Sequence, residues 1–148
     1  MHTVNNFIAR TIRWFLIASG LITCATLPFA INIDFITPML GGSVDYTPSS
    51  VPALRHWGFA VFGIGALMVV AGFRPWLRFE TMLLSTTEKA FLVYLALSNL
   101  GQPWVAGYLV LGMVDALIVA YNIVYFVSEQ GRPYAYSRRD AVRNAGLS

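Results

Sequence analysis

Four long apolar stretches, separated by polar or turn-rich segments, set the pattern of this chain. The first, Trp14 to Asn32, carries no charge over 19 positions, close to the ~20 that a helix needs to cross a ~30 Å hydrocarbon layer. Pro28 near its far end lacks a backbone donor, so regular helix should kink or stop there. Further helices are expected from about His56 to Phe73, from about Thr86 to Leu100, and from about Val105 to Val127. The third is short, since 15 residues rise only ~22 Å. Either the Gly101, Gln102, Pro103 break dips into the bilayer, or Phe79 to Leu84 extend the helix.

The connections have their own signatures. Residues 33–55 hold Pro38, Gly41, Gly42, Pro48 and Pro52 with Asp34 and Asp45, which is loop composition. Ile33, Ile36 and Leu40 approach helical spacing, as a short interfacial segment would. Ser85 followed by Glu88 matches a capping box that opens the third helix and places Glu88 and Lys89 in its first turn. In the second helix Gly58, Gly65 and Gly72 recur every seven residues. They leave a bare stripe of the kind on which membrane helices pack closely.

Composition agrees with spans rather than a water-covered surface. The 148 residues are 57% hydrophobic and 11% charged, against about 25% charged in soluble domains. The expected fold is therefore all-α, an integral membrane four-helix bundle over residues 1–130 with a cytoplasmic tail at 131–148. Of the ten Lys and Arg residues, nine fall in the N-terminus, the 74–89 segment and the tail, and only Arg55 falls in the 33–55 loop. The positive-inside rule then places both termini in the cytoplasm, with a bacterial inner membrane as the expected location. Leu21 to Cys24 loosely resembles a lipoprotein cleavage site, but Thr23 suits such a site poorly, and an uncleaved helix is expected.

Candidate chemistry centres on Asp115, an acid near the middle of the fourth helix, where such residues usually face a bundle interior. Seven-residue spacing puts Tyr108, Asp115 and Asn122 on one face. With no cation expected at that depth, Asp115 should hold its proton at neutral pH. At the outer mouth, Arg55, His56, Trp57 and Trp104, with Asn99 and Gln102 nearby, form an aromatic collar. It can anchor helices at the interface or admit a lipophilic substrate, with Trp57, Asn99 and Trp104 lining the entrance and His56 its titratable group.

The segment GFAVFGIGALMVVAGFRPWLR resembles the Gly-rich second helix, ending in Arg, of the DoxX-like small bacterial membrane proteins. Gly65, Gly72 and Arg74 carry the likeness, and they imply helix shape rather than catalysis. The acid expected within that helix of the family is absent between Gly58 and Phe73.

Several classes are excluded. One cysteine, Cys24, allows no internal disulfide, and no Cys or His spacing suits a metal. There is no phosphate loop, no basic patch for nucleic acid, and no second membrane histidine for a haem, so no cofactor is expected. Three functions remain. The leading one is a membrane-embedded enzyme acting on a lipophilic molecule, an isomerase, cyclase or hydratase, with Asp115 as acid or base and Tyr108 or Asn122 positioning substrate. The alternatives are a non-catalytic accessory subunit of a larger membrane complex or homo-oligomer, and a small proton-coupled transporter.

Overall fold

Apolar runs and turns become four long helices and one short helix in a computed structural model that describes residues 2–36, 47–102 and 105–128. In chain order these are α1 (His2–Cys24), α2 (Leu27–Ile31), a 3-10 turn at Ile33–Ile36, α3 (Val51–Phe73), a 3-10 turn at Pro75–Leu77, α4 (Arg78–Ser98) and α5 (Val105–Val127). The described residues contain no strand. The Gly41–Gly42 part of the expected outer loop, Trp104 and the 131–148 tail lie outside the described residues. Three helical stretches, Thr3–Ile31, Val51–Phe73 and Val105–Val127, are long and apolar enough to cross a membrane.

Helix boundaries differ from the sequence expectation at four places. α1 starts at His2 rather than Trp14, so Arg10 and Arg13 lie within it. The Arg13 guanidinium is covered by the Trp14 and Phe73 rings, at 5.3 and 5.2 Å from their centroids. α1 stops at Cys24, and Pro28 sits at the start of α2, where its missing donor costs no helical bond. α3 starts at Val51 instead of His56, because Pro52 fits the first turn of a helix. α4 starts at Arg78 instead of Thr86, so Ser85 is no N-cap and Glu88 and Lys89 are not in a first turn. Phe79 to Leu84 do extend the third helix, and its 21 residues give ~31 Å.

The glycine stripe of α3 packs against α1 and α2. A Cβ on Gly65 would lie 2.8 Å from both Cys24 N and Gly20 O, and one on Gly20 would lie 2.7 Å from Gly65 O. Gly72 meets Ile17 and Arg13, and Gly58 meets Phe29, Ala30 and Thr26. The backbones therefore approach until only hydrogen fits between them, which maximises dispersion contact. Below this pair Ile8, Ile12 and Leu16 of α1 meet Met68 and Ala71 of α3, Met82 of α4, and Ile118 and Tyr125 of α5 in one cluster. Phe15 stacks on Tyr121 at 3.6 Å, and the Tyr121 hydroxyl is 2.7 Å from Thr11 Oγ1. Arg78 joins α3 to α4 by donating Nε to Ala71 O and Nη2 to Gly72 O, carbonyls that the end of α3 leaves unbonded. Gly101, at φ 98°, makes the left-handed turn that ends the α4 segment before α5.

Candidate functional site

α4 and α5 form the polar face of the bundle. On α4 the buried positions are Thr81, Met82, Ser85, Lys89 and Ala96. Thr81 and Met82 are adjacent, and the steps of three, four and seven that follow keep the set on one side, turned from Leu83, Leu84, Phe91 and Leu97, which are exposed. On α5 the corresponding stripe is Gly112, Asp115, Ile118, Asn122 and Tyr125. These two stripes face each other, and Ala96 is the side chain an added Cβ on Gly112 would meet, at 3.6 Å.

Two polar layers bridge the seam. In the first, Lys89 Nζ donates to Asp115 Oδ1 at 2.8 Å, with Lys89 2% and Asp115 8% exposed. Glu88 flanks the pair, its Oε2 3.6 Å from Lys89 Nζ. In the second layer, three residues before Lys89 on α4 and seven after Asp115 on α5, Asn122 Nδ2 donates to Thr86 Oγ1 at 2.9 Å, and Thr86 Oγ1 in turn donates to Met82 O at 2.6 Å. Asn122 is fully buried.

This overturns the expectation that Asp115 has no cation at its depth. The physical reason is the start of α4. With the helix running from Arg78, Lys89 lies eleven residues in, ~16 Å from its beginning. A buried ammonium and a buried carboxylate each lose hydration, and the short contact offsets that loss only while both are present.

The remaining sequence candidates divide. Asn122 shares the seam with Asp115, as the seven-residue spacing predicts. Tyr108, half-buried on the same helix, packs instead beside Phe29, Ile33 and Trp57 in a second apolar cluster. Trp57 stacks on Phe29 with centroids 6.4 Å apart. Arg55 Nε donates to Ala30 O at 2.7 Å. These contacts fasten α2 to α3. His56 is exposed on α3 and takes no place at the seam. Asn99 Nδ2 donates to Leu95 O at 2.9 Å and closes the end of α4. Trp104 lies outside the described residues, so the collar is described only in part.

The sequence reading missed Lys89, Glu88, Thr86, Ser85 and Thr81 as members of the site. A signal for them existed. Thr81, Ser85 and Lys89 are four residues apart, which on a helix makes a polar stripe. No known protein family, curated protein or solved structure matches the chain, so the role of this seam rests on its own geometry.

Proposed function

We propose that the chain is an integral membrane protein of a bacterial inner membrane, crossing it four times, and that it works as a non-catalytic accessory subunit of a larger membrane assembly. One observation carries this reading: the groups best suited to act on a substrate bond to one another. Asp115 Oδ1 is held by Lys89 at 2.8 Å, and Asn122 Nδ2 by Thr86 at 2.9 Å. Such pairs act as polar glue between helices in lipid. Three apolar helices support the membrane setting, and α4 becomes a fourth crossing because the charge in its middle, Lys89 with Glu88 beside it, pairs with Asp115 of α5. Orientation rests on charge. Lys89 is buried mid-helix, and Arg10, Arg13, Arg74, Arg78 and the four arginines of the tail fall on one side, against Arg55 on the other. That side is cytoplasmic, and so are both termini.

Extraction in mild detergent, followed by native mass spectrometry, tests the reading. It expects a stable complex with a second membrane protein. A homogeneous, partner-free species would overturn it.

One observation favours a second reading, an acid/base enzyme for a lipophilic molecule. Glu88 Oε2 is buried beside the ion pair and has no hydrogen-bond partner, leaving a carboxylate for chemistry. Incubating membrane lipids with wild-type and Glu88→Gln protein, and comparing products by mass spectrometry, tests it. Identical products reject the enzyme.

A further inference from the structure

The seam contains one cation and two carboxylates. Asp115 balances Lys89 at 2.8 Å, which leaves Glu88 in excess at 3.6 Å with an unbonded Oε2. A net charge half-way along a membrane helix is costly, and a single proton brings the three groups to neutrality.

A second observation is independent of that count. Thr81, Ser85 and Lys89 stand on one buried face of α4, exposed by 1%, 0% and 2%. Thr81 Oγ1 and Ser85 Oγ are buried without hydrogen-bond partners, and so is Asn122 Oδ1 across the seam. Thr81 and Ser85 form a file that steps four residues at a time from the N-terminal end of α4, where Arg78 and Glu80 stand, to Lys89 of the ion pair. Hydroxyls both donate and accept, and a four-residue step of ~6 Å along a helix is the span of one bridging water. On the other side of Lys89 the file ends. The face continues as Leu92 and Ala96, with Gly112 opposite.

We propose that Glu88, Lys89 and Asp115 form a proton-binding site, loaded from the N-terminal end of α4 through Thr81, Ser85 and Asn122 and closed towards its C-terminal end. The charged groups beside Glu88 are Lys89 of its own helix, at 3.6 Å, and Asp115 of α5, which Lys89 binds at 2.8 Å. Tyr121 and Tyr125 of α5 lie further towards the loading end, and α3, also packed on α4, carries only Arg55 and His56, both exposed. The proton moves from water to a carboxylate, and no bond other than O–H forms. This function goes beyond the accessory role and holds whether or not a partner is present.

Difference infrared spectroscopy between acidic and alkaline buffer, on the full chain in lipid nanodiscs, reads the carbonyl stretch of a protonated carboxyl. Charge counting makes an unusual demand: Glu88→Gln and Asp115→Asn each leave one carboxylate with Lys89, so each should lose the same band, whereas Glu80→Gln keeps it. A wild type without the band, or either seam variant retaining it, overturns the site. Should Asp115→Asn not fold, Glu88→Gln decides alone, since Glu88 Oε2 accepts no hydrogen bond. Ser85→Val should keep the band at equilibrium but slow its appearance after a pH jump, and an unchanged rate would overturn the path.

Discussion

Lys89 and Asp115 lie at matching heights in an antiparallel helix pair, nine residues from the end of α4 and ten from the start of α5, with Nζ 2.8 Å from Oδ1. The contact joins the least apolar long helix to the most apolar one. Without it the Lys89 ammonium half-way along α4 would have only the Glu88 carboxylate, at 3.6 Å, beside it, so the pair gives the charged middle of α4 its direct contact with α5.

Removing one partner should therefore harm more than removing both. In a Glu88→Gln background, Lys89→Met or Asp115→Leu alone leaves a buried charge and should cost about 3–5 kcal/mol, while the double variant should recover most of that loss. Unfolding in mixed detergent micelles measures the cycle. Equal losses for the single and double variants would show that the pair does not join the helices.

The sequence shows α5 at its observed limits, because an uninterrupted apolar run between Pro103 and the polar tail admits few alternatives. It also shows the α3 stripe, because glycine spacing reports directly on close packing. It hides Lys89, since an adjacent Glu and Lys after a Ser read as a helix start when local chemistry alone is weighed. The competing clue is long-range. Counting back from the Gly101 turn places Lys89 opposite Asp115, and only the pairing of two helices gives that count meaning. Nearness in sequence joins His56 and Asn99 to the outer collar, but exposure of the one and the local bond of the other depend on rotation about the helix axis, which a mixed aromatic pattern leaves open.

Glycine contacts give a matched pair of tests. Gly65→Ala pushes a methyl against Cys24 N and Gly20 O, both backbone atoms that cannot turn aside, and should cost about 1–3 kcal/mol by overpacking. Gly63, two residues away, has nothing within 4 Å of an added Cβ. Gly63→Ala should be neutral or stabilise by about 0.5–1 kcal/mol through helix propensity. Thermal unfolding in detergent reads both, and equal effects would argue against close α1–α3 packing.

The Asn122–Thr86 layer should behave as a buried hydrogen bond. Thr86→Val strands the Asn122 amide and should cost about 1–3 kcal/mol, whereas combining it with Asn122→Leu removes both partners and should cost less than the single change. Denaturation midpoints of the three variants settle the order. A double variant less stable than Thr86→Val would mean that Asn122 stabilises through other contacts.

The proposed topology requires the two ends of α4 to lie on opposite sides of the membrane. Thr3, Ser49, Trp76 and Gln102 are exposed and lie at the N-terminal end of α1, before α3, before α4 and after α4. In a Cys24→Ala background, single cysteines at Ser49 and Gln102 should react with a membrane-impermeant maleimide on intact cells. Those at Thr3 and Trp76 should react only after permeabilisation, because the arginines flanking them hold their segments in the cytoplasm. Reaction at Trp76 in intact cells would mean that α3 does not cross as assigned. Protection at Gln102 would leave α4 on the cytoplasmic side, where Lys89 and Glu88 would meet water and the seam would lose the apolar surroundings that make its ion pair obligatory.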